Sequence, residues 1–287
     1  MLAILKRELR SYFQSPTGYI FLGFFLLMAG IFFALTNLLT SSPVYVGVLS
    51  NMTFVFLIAV PVLTMRLLSE EQRHKTDVLL LTNPVGVASI VLGKYFAAVI
   101  FFVVATAVTV LFPVAMSFFG DIAGWEIVAA YIGFILLGCA MLAVGLFVSA
   151  MTENQVIAAV TTFACLLFLW ILDWLQTAFP KGVEAGIVFC GILAAGVALL
   201  VFFSTRRLEI TIPVVLLGGG LITLLALLDA SRFDGFIVRF FGWFSLLQRF
   251  ESFTMGVLAL NAAVYMISFS SVFVFLTTRV IEKRRWA

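Results

Sequence analysis

The sequence predicts an all-α polytopic membrane protein, on the strength of its composition and of how its apolar residues are grouped. Of 287 residues, 63% are apolar and only 11% charged, with a mean hydropathy of +1.20. Soluble domains carry roughly 25% charged residues and about 45–50% apolar ones. The apolar residues come in blocks of about 20, long enough for helices to cross a hydrocarbon core of roughly 30 Å. A transmembrane β-barrel would show short segments of alternating polarity, and none are present.

Residues 1–18 are expected to form an interfacial elbow helix and the turn that ends it. Leu2, Leu5, Leu9 and Tyr12 recur at helical spacing, with Lys6, Arg7, Glu8 and Arg10 on the other side, as in a helix lying on a membrane surface. A plain basic flank that only fixes orientation is the alternative. Ser15-Pro16-Thr17-Gly18 then breaks the helix. The first span reads Tyr19–Leu39, followed by a turn at Ser41-Ser42-Pro43 and a second span over Val48–Leu68 that contains Pro61. The third runs from Ala88 to Phe119, unusually long, with a kink expected at Pro113. Trp125 opens the fourth, which ends near Ala150, and Thr152-Glu153-Asn154-Gln155 leads into the fifth, Val156–Leu175.

After a turn at Pro180-Lys181-Gly182, the sixth and seventh spans read Ile187–Phe203 and Ile210–Leu228, joined across Arg206-Arg207. Residues 229–254 mix aromatic and charged side chains in an amphipathic segment expected on the external side. Met255–Leu276 is the eighth span, and a basic tail follows. With the N-terminus in the cytoplasm, eight spans place 13 of the 17 Lys and Arg residues inside, whereas the acidic residues divide seven to seven. That asymmetry obeys the positive-inside rule and puts both termini in the cytoplasm. Six spans plus a re-entrant hairpin formed by the sixth and seventh segments satisfy the same ends. Trp125, Trp170, Trp174, Trp243 and Trp286 lie near span ends, where indole rings anchor at the headgroups. Gly133, Gly138 and Gly145 are expected to serve close helix packing.

Several chemistries are weighed against. Cys139, Cys165 and Cys190 lie in apolar runs at no metal-ligand spacing, and His74 is the only histidine, so neither paired-His haem ligation nor a His-based zinc site is expected. No cleavable signal peptide is expected, because Met1–Arg10 is charged and the first apolar block is long enough to span. No predicted span carries a charge at mid-depth, which argues against an ion-coupled carrier or a voltage sensor. Asp173, toward the end of the fifth span, reads as a side chain satisfied by a partner. Gly86…Gly93-Lys94 has the wrong spacing for a phosphate-binding loop, and Tyr95 stands where Ser or Thr would hold Mg²⁺. The chain itself is therefore expected to be no enzyme, to hold no cofactor and to bind no nucleic acid.

The most polar stretch is Leu68–Pro84. Ser69 is placed to N-cap a helix whose first turn holds Glu70 and Glu71, favourable at the positive end of the helix dipole. Glu71 and Lys75 stand at i,i+4, Val78–Leu81 adds an apolar patch, and Asn83-Pro84 stops the helix. On these residues alone, the helix either rests on lipid or docks into a cytoplasmic partner.

Three stretches here resemble the type-2 ABC transporter permeases, nearest the gliding-motility-associated and nitrous-oxide-reductase-maturation branch: Val60–Glu71, Lys75–Val85 and Val91–Tyr95. Lys6–Tyr19, Ser149–Val156 and Glu282–Trp286 resemble the same group. The resemblance implies one permease domain over 1–287, the transmembrane subunit of an ABC exporter in a bacterial cell membrane. It implies that residues 68–86 form a cytoplasmic coupling loop, with Glu70, Glu71, Arg73, Lys75, Thr76, Asp77, Leu79 and Leu80 as the contact set for an ATPase subunit. ATP and Mg would sit in that ATPase chain. A second permease copy or paralogue is implied, and an accessory membrane protein is allowed. The residues 233–253 resemble the short external helices of such exporters, and the two additional spans depart from the usual six. A non-transporting scaffold that anchors a cytoplasmic partner is the competing reading.

Overall fold

The structure, a computed structural model, describes residues 1–73, 86–179, 182–206 and 208–286, with backbone alone for some helical positions between 174 and 230 and for 284–286. Every regular element among them is helical. Among the described residues, seven helical segments are long and apolar enough to cross a membrane. The chain divides into two units, residues 1–168 with 246–287, and residues 169–245.

The first unit opens with α1 (Leu2–Gln14). It ends where predicted: the Ser15 side chain accepts a hydrogen bond from the Gly18 N–H, and Pro16 occupies the first turn of α2 (Pro16–Phe33). Pro16 is suited to that place because its missing N–H would have no helical partner there. A π-helical turn, Ala34–Leu38, extends α2. α3 (Val46–Thr64) keeps Pro61 within it and leads through a short turn into α4 (Ser69–Arg73). The expected cap at Ser69 is not formed. Ser69 is fully buried and its hydroxyl donates to the Met65 carbonyl, while the Ser149 hydroxyl accepts from the N–H groups of Leu68 and Ser69 at 3.1 and 3.2 Å. A hydroxyl from another helix thus takes up the first two backbone N–H groups at the start of α4.

The third span also differs from expectation. It comprises α5 (Val87–Thr109) and α6 (Leu111–Ser117), and the break falls at Val110 rather than at Pro113. Proline removes the hydrogen bond to the carbonyl four residues back, and its ring crowds that carbonyl. That carbonyl belongs to Thr109, the last residue of α5. α7 (Gly124–Met151) follows, and α8 (Gln155–Ala178) carries the chain out of this unit. The chain returns with α12 (Leu246–Thr254) and α13 (Leu260–Trp286). Residues 255–259 belong to a turn instead of the last span. Gly256 there has φ +76°, a left-handed conformation open to glycine, which ends α12.

α7 forms the centre of this unit. A side chain at Gly133 would meet Phe253 at 2.6 Å, one at Gly138 would overlap the Phe102 ring, and one at Gly145 would overlap Thr64. Close approach through small residues drives helix association where lipid tails remove the hydrophobic incentive. Phe134 stacks on Phe56 at 4.7 Å, and Phe102 and Phe25 complete a buried aromatic cluster.

The helix directions follow from contacts at the two ends of the bundle. At one end Tyr45 and Tyr131 share a hydrogen bond of 3.0 Å, Thr109 joins them, and the Trp125 indole donates to the Gly256 carbonyl. At the other, Ser149 meets Leu68 and Ser69, and Phe147 meets Phe273. α5 therefore leads away from the α1 end, while α7 and α13 run toward it.

The second unit holds α9 (Val183–Thr205), α10 (Leu208–Leu228), a 3-10 turn at Ala230–Phe233 and α11 (Phe236–Phe244). Arg206, with φ 50°, ends α9 in a left-handed conformation. α10 is a helix of 21 residues; many of its side chains lie outside the described residues, and it is not among the seven. Phe189 packs on Phe240 and Phe241, and the Ser245 hydroxyl donates to the Asp173 carboxylate. One oxygen of the Asp173 carboxylate thus has a neighbouring donor.

Candidate functional site

α1 lies along α5 because the sequence clears the way for it. Gly93 leaves room for Ile4, which a Cβ there would meet at 3.1 Å. Tyr12 stacks on Phe101 at 5.0 Å, and the Tyr12 hydroxyl donates to the Leu63 carbonyl at 3.1 Å. One helical turn thereby bridges to both α3 and α5.

This packing brings four charged groups together. Lys94 Nζ lies 3.2 Å from Glu8 Oε1 and 2.9 Å from Glu71 Oε1. Arg7 lies 2.6 Å from the same Glu8 oxygen and 3.0 Å from the same Glu71 oxygen. Each cation thus meets both anions, and the four charges cancel. The Lys94 side chain is only 2% exposed and both glutamates 16%, whereas Arg7 is 55% exposed. An ammonium this deep is tolerable because it is matched; a buried charge stripped of its partner costs about 3–5 kcal/mol. Burial pushes the Glu8 carboxyl up, but the charges and hydrogen bonds of Lys94 and Arg7 outweigh that and hold it below its ordinary value. The hydrogen bond to Glu8 raises Arg7 in turn, against the opposing effect of burial.

Lys94 and Glu8 were not singled out by the sequence reading. Lys94 enters the sequence reading through the rejected phosphate-loop spacing, yet it stands two turns inside α5 and is buried. Glu8 was assigned to the exposed polar side of α1, yet it points into the ring. The available signal was Lys94 itself: a cation within an apolar helix demands an anion.

The rest of the predicted set is divided. Glu70 is half-buried and lines a small polar cleft with Glu8, Tyr12 and Arg66, and Arg73 is exposed at the end of α4. Gln72 is buried and donates to the Ala150 carbonyl at 3.0 Å, a second tie between α4 and α7. Lys6 and Arg10 are exposed on α1. Lys75, Thr76, Asp77, Leu79 and Leu80 lie outside the described residues. Among the described residues, no group of three or more His, Cys, Asp or Glu could hold a metal ion.

What the arrangement can do is mechanical. α4 is fastened to α1 and α5 by ions and to α7 by Ser149 and Gln72, so a force on the segment after Arg73 reaches three helices of the bundle.

No curated protein matches the sequence. The family model described as "ABC-2 family transporter protein" matches residues 6–205, which takes in α1 from Lys6 onward, the ion ring, the whole of 68–86 and the helices as far as the end of α9. With a bundle of membrane-length helices behind that match, the chain belongs to the ABC-2 family of transporter proteins, a multi-pass membrane component of transport.

Proposed function

We propose that the chain is the transmembrane subunit of an ABC exporter in a bacterial cell membrane, of the gliding-motility and nitrous-oxide-maturation branch. It works with a separate ATPase subunit that holds ATP and Mg, and with a second permease, a further copy or a paralogue. Eight spans, with α10 as the seventh, leave both termini on the ATPase side and residues 229–254 on the outer side. α1 then lies in the inner interface, with Lys6 and Arg10 toward the headgroups.

The observation that carries the reading is the ion ring formed by Arg7, Glu8, Glu71 and Lys94. A loop that receives force from an ATPase has to be anchored rigidly to the spans it moves, and 68–86 begins on such an anchor. In this proposal Glu71 is the tether, while Glu70, Arg73, Lys75, Thr76, Asp77, Leu79 and Leu80 form the contact surface. Closure of the ATPase on ATP displaces the loop, and α1, α3 and α5 follow it.

The test is co-expression with a candidate ATP-binding cassette subunit. A stable complex should survive detergent extraction, and Arg73→Cys should give a cross-link to the ATPase that depends on nucleotide. A permease that never retains an ATPase, with no cross-link from Arg73→Cys, would overturn the reading.

A further inference from the structure

A groove on the side of the first unit fits a lipid. It lies between α5, α7 and α13, has a volume of about 400 Å³, and is floored by the buried Tyr95, Met266, Ser270 and Val274. Phe96, Ile267 and Phe275 form its exposed lips. Its polar wall atoms are already engaged. The hydroxyls of Ser270, Ser271 and Thr278 donate to carbonyls four residues back in their own helix, and Tyr95 donates to the Cys139 carbonyl. The groove therefore presents a mainly apolar lining with its hydroxyl protons already committed.

Its dimensions select the occupant. The lining runs from Ala88 to Val99 on α5 and from Met266 to Thr278 on α13, about 17 Å at 1.5 Å per residue. That is close to the depth of one leaflet, half of a hydrocarbon core of roughly 30 Å. Spread over that length, 400 Å³ gives a channel roughly 5 Å wide. A helix with its side chains needs about 10–12 Å. An acyl chain fits, whereas a helix from a second copy is too thick.

Charge completes the match. α13 runs toward the α1 end of the bundle, so the groove opens toward that end just where α13 becomes basic. Arg279 lies one turn beyond Phe275 with its guanidinium 4.9 Å from that ring, and Lys283 follows a turn later; both are exposed. Glu282 pairs with Arg279 at 3.0 Å and neutralises only one of the two cations.

We propose that this groove binds one acyl chain of an anionic phospholipid, whose headgroup phosphate is held by Arg279 and Lys283. The site is independent of any ATPase, so it is tested on this chain alone. Delipidated protein in detergent is titrated with phosphatidylglycerol or with phosphatidylcholine of the same chains, and bound lipid is counted by native mass spectrometry. Phosphatidylglycerol should bind more tightly, and Arg279→Gln with Lys283→Gln should erase that preference, by about fivefold per basic residue removed. Ser270→Phe, which fills the floor, should abolish retention of both lipids.

Occupancy is read separately from thiol labelling of Ile267→Cys, identified by peptide mass, a lip substitution that leaves the packed floor untouched. Phosphatidylglycerol should slow that labelling severalfold. Unchanged labelling, equal binding of the two lipids to the unaltered chain, or disulfide-linked dimers formed through Phe275→Cys would each overturn the proposal, the last by showing a second copy on this face.

Discussion

α7 and α9 are both long, apolar and rich in glycine, yet the fold uses them in opposite ways. In α7, 67% of the most apolar window is buried inside the protein, against 11% in α9. Gly133, Gly138 and Gly145 each face a side chain that a Cβ would strike, whereas in α9 Gly186, in the first turn, meets the Phe233 carbonyl and Gly191 and Gly196 have nothing within 4 Å. Hydropathy states that a helix belongs in a membrane, but it does not state whether the neighbour is protein or lipid. That distinction lies in which small residues are opposed by large ones. The central helix of the first unit finds its partners within the chain, and the outer faces of α9 are left for the bilayer or another protein.

The strongest way to break this comparison is a large side chain at the two kinds of glycine. Gly138→Leu has to displace Phe102, which is itself wedged among Phe25, Phe56 and Phe134. Overpacking a filled core costs about 1–3 kcal/mol and occasionally more, and here the obstacle is a buried ring cluster. Gly138→Leu should abolish a monodisperse detergent-extracted species or lower its melting temperature by well over 5 °C. Gly196→Leu should leave both unchanged. Equal sensitivity would show that the outer face of α9 is packed as tightly as α7.

The next effect contrasts charges instead of volumes. Lys94→Ala leaves Glu8 and Glu71 sharing the more exposed Arg7. Losing a partner from a fully buried pair costs about 3–5 kcal/mol, and the exposure of Arg7 reduces that to about 2–3 kcal/mol. Thermal melts should register it, and adding Glu8→Gln and Glu71→Gln to Lys94→Ala should restore most of the loss, because the repulsion goes with the charges. In the second unit, Arg232→Ala removes a pair between exposed side chains with Asp229 and should leave the thermal melt unchanged, because a pair open to water gains little over the hydration it replaces. If Lys94→Ala proves equally mild, the ring is no anchor.

Both contrasts bear on what the sequence could tell. The helical membrane class, the Ser15-Pro16 break and the packing role of Gly133, Gly138 and Gly145 were legible because each rests on local pattern: hydropathy, a cap beside a proline, small residues on a long helix. The break at Val110 was missed by one turn because the proline acts on the carbonyl of Thr109, four residues behind it. The last helix begins at Leu260 rather than Met255 because Gly256 takes a left-handed turn that hydropathy cannot register. The ion ring was illegible for a different reason. Its members stand at positions 7, 8, 71 and 94, and only the docking of α1 onto α5 at Gly93 assembles them. Glu71 was singled out as a partner contact on resemblance, and the fold gives its carboxylate two cations of its own.

Acid offers the mildest way to sharpen the comparison, because each unit contains a carboxyl held below its ordinary value. For Glu8 burial pushes the carboxyl up, and Lys94 and Arg7 more than reverse it. For Asp229 the hydrogen bonds from Ser231 and Arg232 lower it, on a side chain open to solvent. A depressed carboxyl contributes stability that is complete above its unfolded value, about 4.5 for Glu8, and that disappears as pH falls through the lower folded value. Stability at the α1 end should therefore be flat from neutral pH down to about 5 and decline below about 4.5. The proper readout is local: amide hydrogen exchange in α1 should quicken below pH 4.5, and Glu8→Gln should remove most of that pH dependence while making α1 more labile at neutral pH. Exchange around Asp229 should change little over the same range, since its partners are exposed and already screened by water. An α1 that stays protected down to pH 3 would mean that Tyr12, Phe101 and the Ile4–Gly93 contact hold it without the charges, and the ring would then be a consequence of docking and not its cause.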